Sequence, residues 1–297
     1  VKLLAEGILK RSLSKVFGKK ELTKAINVLG SGRCGTSMVT KTLSFIGVDI
    51  GNEFIETNKN NPKGFYEHKT VVEIQKQINA LMKYKRPYSQ GWQNNAKIKP
   101  FKEELKEVTR EQFSGKRVWA WKDPRNCECI DLWDEILKEL RMNPYYLIMI
   151  RNPIDVANSF KEAYNDKIEK SLRLWYMRTV VVLYKTDKNK RVMFDYNDFL
   201  DSGYNSLKEI AVTFELDWPE DEQTLKAKLD DFIDPGLRHL RTSMEDLDQD
   251  KDIEDKVKQL YYICLKASRN RKYFDSNEFE TEIEHHYNTL MESGVKV

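Results

Sequence analysis

Apolar positions fall into two patterns along the chain. Short, mostly apolar runs rich in β-branched and aromatic residues occur at Ile26 to Leu29, Arg117 to Trp121, Tyr145 to Ile150 and Arg191 to Tyr196. Such runs predict strands covered on both faces, as in a parallel sheet. Between them, apolar residues recur three and four apart. Val39, Leu43 and Ile46 share one helical face, as do Val71, Ile74, Ile78 and Leu81. A longer helix is expected over about 168 to 187, with Leu172, Trp175, Tyr176, Thr179 and Leu183 as its core face. The C-terminal third reads as helical except for Phe232 to Arg241. Alternating strands and helices predict an α/β fold, a central mostly parallel sheet flanked by helices, with a helical C-terminal part.

The connections carry the chemistry. Leu29 runs into Gly30-Ser31-Gly32-Arg33-Cys34-Gly35-Thr36-Ser37, and the helical pattern then starts. A strand, a glycine loop and a helix N-terminus aim backbone N–H groups and the positive end of a helix dipole at one point, which suits a phosphate or sulfate. The spacing Gly30-x4-Gly35-Thr36-Ser37 matches a P-loop except that Thr36 stands where the lysine belongs, and the cation is Arg33, inside the loop. The fold is therefore expected to be of the P-loop-containing nucleotide-binding type, with a single anionic group rather than a magnesium triphosphate in the loop. Cys34 sits beside Arg33 at a helix N-terminus, conditions that lower a thiol pKa. It reads more simply as a small loop residue offering its N–H.

The second strand delivers Lys122-Asp123-Pro124-Arg125, ahead of a helix expected from near Asn126. The third delivers Arg151, followed by Asn152 as an N-cap, Pro153 as first helical residue, and Ser159 two turns on. Ligands of open parallel sheets bind outside the carboxyl ends of the strands, so these clusters are expected to face the crevice of the glycine loop. Residues 85–100 read as an irregular, aromatic-bearing excursion and are assigned to the acceptor side of that crevice.

The loop GSGRCGTSMVTK resembles the 5′-phosphosulfate-binding loop of the sulfotransferases, which use 3′-phosphoadenosine 5′-phosphosulfate (PAPS). Arg151 with Ser159 eight residues later is similar to that family's 3′-phosphate segment, and the match is dispersed over roughly residues 26 to 240. Gly64-Phe65-Tyr66-Glu67-His68 and Trp121-Lys122-Asp123-Pro124-Arg125 together look like bacterial sulfotransferases acting on small or saccharide acceptors. The resemblance implies a nucleotide site at Gly32, Arg33, Cys34, Gly35, Thr36, Ser37, Arg151, Ser159 and Tyr196, closed by Arg238 and Arg241. It implies transfer of a sulfuryl group to an acceptor hydroxyl of a saccharide or glycolipid, with the adenosine bisphosphate PAP as product. Glu67 is the expected general base and His68 its neighbouring rival. Lys122 and Arg33 would stabilise the sulfuryl oxygens and leaving group. No metal is expected. The rivals are a P-loop kinase for a small molecule or nucleoside, with Asp123 as its nearest magnesium ligand, and a nucleotide-gated docking module.

Composition narrows this further. The formal charge is +3, but residues 1–24 hold seven Lys/Arg against two Glu, so the rest is slightly acidic and no nucleic-acid partner is expected. Residues 1–22 are read as a basic amphipathic helix that could rest on an anionic membrane or pack on a partner, ahead of one domain over 23–297. Four cysteines at positions 34, 127, 129 and 264 form neither a disulfide framework nor a zinc site, and His285 and His286 diverge on a helix. These features, with no signal-peptide pattern, lead to an expected cytoplasmic location, with possible contact of residues 1–20 with a membrane.

Overall fold

A computed structural model describes residues 22–59, 61–233 and 242–293. All but the last residue of the amphipathic helix expected at 1–22, and the expected basic closure by Arg238 and Arg241, lie outside the described residues. Four strands form one sheet in the order β2-β1-β3-β4, with every pairing parallel. They are β1 (Lys24–Leu29), β2 (Val118–Lys122), β3 (Asn143–Ile150) and β4 (Arg191–Asp195). The chain leaves β1 toward β2 on one side and returns to β3 on the other. The strand order thus reverses between β1 and β3, where a crevice opens at the carboxyl ends.

Strand alternation divides the core. Ile26, Val28 and Ala120 face one large cluster, and Ala25, Trp119 and Trp121 face a second. The first holds α1 (Thr36–Phe45), α5 (Pro153–Tyr164), α6 (Ile168–Lys185) and the short α7 (Tyr196–Asp201). It continues through α8 (Gly203–Thr213), α9 (Glu222–Phe232), α10 (Met244–Gln249), α11 (Asp255–Arg269), α12 (Arg271–Phe274) and α13 (Asn277–Glu292). The second holds α2 (Lys69–Leu81), α3 (Lys99–Phe113) and α4 (Ile130–Glu139).

Several expectations are met in detail. Asn152 caps α5, its side chain accepting from Ile154 N at 3.0 Å, with Pro153 as first residue. Gly47 follows the end of α1 at φ +84, its N–H bonded to Ser44 O. Others are corrected. The expected helix near Asn126 is a 3-10 turn, Pro124–Cys127, and α4 starts only at Ile130. The Asp123 side chain accepts from Arg125 N at 2.8 Å and holds that tighter turn. Helix α6 is not core on one face alone. Met177, Arg178, Val180, Val181 and Val182 are buried as well, because neighbours enclose the stretch Trp175 to Leu183 on every side, while Arg173 and Tyr184 stay exposed.

The segment 85–100 also differs from expectation. Tyr88 and Trp92 are packed at 3% and 4% exposure in the second core, and the Tyr88 hydroxyl donates to Asn79. The aromatics are there to fill the space between α2 and α4, and the excursion lies behind the crevice rather than on its acceptor side.

The backbone is tightest at the end of β1. A Cβ built on Gly30 would lie 2.5 Å from Met149 O of β3, and the residue has φ +146. Gly30→Ala is therefore expected to lower stability by about 2 kcal/mol or more. Chemical denaturation would read this as a drop in midpoint, and an unchanged midpoint would mean the two strand ends are not held at this spacing.

Candidate active site

Beyond the strand ends lies a cleft of about 860 Å³. It is within the usual range for a small-molecule site. Of the residues singled out from sequence, Gly32, Arg33, Gly35, Thr36, Ser37, Glu67, Lys122, Arg125, Arg151, Ser159 and Tyr196 all line it. All but Glu67, which precedes α2, lie at or after the ends of the four strands, so parallel register brings those together. Val28 pairs with both Lys122 and Leu147, and Ile150 pairs with Asp195.

The glycine loop is fixed from below and from one side. Cys127 Sγ lies 3.3 Å from Gly30 N and 3.4 Å from Gly30 O, tying the loop to the turn after β2. Gly35 has φ +84, and a Cβ there would approach the Tyr196 ring to 2.6 Å. Arg33 adopts φ +69, a conformation that costs a non-glycine residue on the order of 1 kcal/mol. Its neighbours hold it there. Arg33 Nε donates to Ser159 Oγ at 2.9 Å, and Arg151 Nη1 donates to Arg33 O at 3.2 Å. The Arg151 guanidinium also stacks over Tyr196, 4.5 Å from the ring centroid. The two anion-binding segments read from sequence are thus in direct contact. Helix geometry leaves the N–H groups of Thr36, Ser37 and Met38 without partners inside α1, and the first intrahelical bond runs from Val39 N to Gly35 O.

Two members of the expected set sit elsewhere. Cys34 is 1% exposed and does not line the cleft, and its N–H turns back to Ser31 O at 3.3 Å. Burial pushes its thiol up to about 12, opposite to the direction expected beside an arginine and a helix end, although Arg151 pulls it down. The thiol is packing. His68 lies just outside the cleft at the N-cap of α2, in an antiparallel bridge with Phe54. Burial lowers its pKa, and neither ring nitrogen has a hydrogen-bond partner among the described residues.

Glu67 and Lys122 face each other across the cleft floor. Lys122 Nζ donates to Glu67 Oε1 at 2.5 Å, with side chains 2% and 8% exposed. Burial raises the Glu67 pKa; the Lys122 charge opposes this and the Asp123 charge adds to it, leaving the carboxyl above its ordinary range. Asp123 is itself 1% exposed. It accepts from Arg125 Nη1 at 2.7 and 2.8 Å and from Gln75 Nε2 at 3.2 Å. Gln75 bonds Asn126, which bonds Asn27 of β1. This buried polar chain locks the Lys122 turn onto the neighbouring strand.

Sequence reasoning missed Arg178. It lies on α6, 6% exposed, lines the cleft, and is held by Glu128. Its one signal is a lone charge within the apolar run Met177 to Leu183.

Comparison with known proteins gives little. No family model matches the chain, and no curated protein matches it. Among solved structures it is similar to the sulfotransferase domain from the Synechococcus PCC 7002 olefin synthase, with 16% identity and a TM-score of 0.47, covering 82% of this chain and 95% of that one. The sulfotransferase domain from the curacin biosynthetic pathway gives 13% identity and a TM-score of 0.42, covering 68% and 77%. Sulfotransferase STF1 from Mycobacterium tuberculosis H37Rv gives 13% and 0.43, covering 85% and 81%. At such identities, and with TM-scores below 0.5, these likenesses carry no argument about activity. The parallel α/β architecture rests on the sheet itself.

The buried pair makes a testable claim about stability. Lys122→Met leaves a buried carboxylate without its partner and is expected to cost about 3 to 5 kcal/mol. Adding Glu67→Gln removes the stranded charge and should restore most of it. Denaturant unfolding of the four variants would measure the coupling, and strictly additive losses would mean the pair is not held closed.

Proposed function

We propose that the chain is a sulfotransferase that moves a sulfuryl group from PAPS to an acceptor hydroxyl on a saccharide or glycolipid. The observation that carries this reading is the contact between Arg33 of the glycine loop and Ser159 of α5, with Arg151 closing on the same loop. One ligand with an anion at each end would fit a glycine loop without a P-loop lysine and an Arg/Ser clamp beside it.

The donor set suits such a ligand. Helix N–H groups, the Thr36 hydroxyl, Arg33, Arg151 and Ser159 supply donors and positive charge without a metal ligand among them, while the Ser37 hydroxyl donates to Phe65 O at 3.1 Å. When bound, PAPS supplies the sulfuryl group and a nucleotide leaving group. Arg33 carries its charge at the Ser159 end, so in this reading it serves the 3′-phosphate side. Lys122 remains as the cation beside the acceptor end.

Glu67 is placed to accept the acceptor's proton. Lys122 keeps it ionised, while burial raises its affinity for a proton, which brings the carboxyl closer to the range a general base needs. His68 faces away from the cleft and is left out of the reaction. A kinase reading needs Asp123 for magnesium, but that carboxylate is committed to Arg125 and Gln75. The docking reading depends on residues 1–20.

Calorimetry separates sulfuryl transfer from phosphoryl transfer. PAP is expected to bind without magnesium and more tightly than ATP-Mg²⁺, and Arg151→Ala should weaken PAP about 10- to 100-fold. Preference for ATP-Mg²⁺ would overturn the assignment.

The pH profile of turnover tests the base. Because the Glu67 pKa is raised, its base form is lost as pH falls, and the acid limb is expected above the ordinary 4.5. Glu67→Gln should lower kcat by about 10²-fold or more and remove that limb, while His68→Ala keeps it. A limb that survives in Glu67→Gln would take Glu67 out of the reaction.

A further inference from the structure

Two arginines in the cleft belong to neither end of the proposed nucleotide site. Arg125 lies in the turn after β2, three residues beyond the Lys122 that is bonded to Glu67. Arg178 comes from α6 and is bonded to Glu128, the residue that ends the same Pro124–Cys127 turn in which Arg125 sits. Both line the cleft, with Pro124 and Leu174 beside them, and Leu174 is one helical turn before Arg178.

Each guanidinium is held from behind by a buried carboxylate. Arg125 gives Nη1 to both oxygens of Asp123. Arg178 gives Nε and Nη2 to Glu128 Oε1 at 2.9 and 2.7 Å. Among the described residues no hydrogen bond falls to Arg125 Nη2 or to Arg178 Nη1. A guanidinium fixed along one edge is preorganised to bind with the other.

The charges do not balance. Lys122 is matched by Glu67 and Arg125 by Asp123, but Glu128 is shared, because Arg86 Nη1 also donates to it at 3.1 Å. Arg86, Arg178 and Glu128 together keep one excess positive charge, with Glu128 fully buried and the arginine side chains 12% and 7% exposed. A buried excess charge is costly unless an anion meets it.

We propose that this wall is an anion site for the acceptor, which carries a carboxylate next to the hydroxyl that is modified, as in an acidic saccharide of the uronic-acid type. The inference rests on the sulfotransferase reading above. A planar carboxylate matches the fork of a guanidinium, and the site lies beside Glu67, where the hydroxyl must be. Leu174 and Pro124 offer an apolar surface for the sugar ring.

The test is calorimetry on the full chain saturated with PAP, titrated with 4-nitrophenyl β-D-glucuronide or the matching glucoside, which differ only at C6, a carboxylate in one and a hydroxymethyl group in the other. The glucuronide is expected to bind about 10-fold more tightly or better. Arg125→Lys, which keeps a cation beside Asp123 but loses the fork, should bring it down to the glucoside, with PAP affinity unchanged. Since Arg178→Gln strands Glu128 and could misfold, Arg178→Lys is the second variant. It keeps the charge and the fold, loses the fork, and should lose the preference while binding PAP as before. Equal affinity for the two glycosides, including no binding of either, overturns the proposal. A fall in PAP affinity in Arg178→Lys also overturns it by placing that arginine on the nucleotide. Failure of the unmodified chain to bind PAP instead overturns the sulfotransferase reading, and is scored before either glycoside is added.

Discussion

Parallel pairing of β1 between β2 and β3 is the constraint on which the rest depends. It sets Leu29, Lys122 and Ile150 at one edge of the sheet, so three loops of unrelated sequence must share one space. The fit is tight enough that Gly30 can carry no Cβ against Met149 O. Once that spacing is set, the Arg33 carbonyl falls within reach of Arg151 and its guanidinium within reach of Ser159. The left-handed backbone of Arg33 is local strain balanced by those contacts.

Charge in this cleft is organised in pairs set into the core. Lys122 with Glu67, Arg125 with Asp123 and Arg178 with Glu128 each place a cation at the cleft and a buried carboxylate against it. Bare buried charges would be expelled, and pairing lets them stay. Arg125 and Asp123 share one turn, but Lys122 and Arg178 take their carboxylates from other elements, so the site's electrostatics depend on the packing of α6 and the α2 entry against the strand ends. The segment 85–100 enters here too. Its aromatics fill the second core and its Arg86 reaches Glu128, so it supports the cleft from behind.

Periodicity sufficed for most of the frame. The four strands, the helices after β1 and β3, and the Asn152-Pro153 start of α5 were legible because each depends on neighbours within a few residues. The helix α3, which the periodicity reading left unassigned, and the complete burial of Trp175 to Leu183 in α6 were not, since which faces are covered depends on partners distant in sequence. Cys34 shows the same limit. Its place beside an arginine and a helix end would by itself lower a thiol pKa, yet burial outweighs both and raises it.

Local sequence was enough to nominate Arg33, Glu67, Lys122, Arg151 and Ser159, since glycine spacing, strand ends and caps are short-range patterns. It could not choose between Glu67 and His68, which differ by one position. The chain reverses the side-chain direction there, sending Glu67 to Lys122 in the cleft and His68 into the α2 N-cap region. Nor could it find Arg178, whose place beside the glycine loop comes from a helix that starts more than a hundred residues later. Which groups share a site is a question of long-range packing, and only the folded chain answers it.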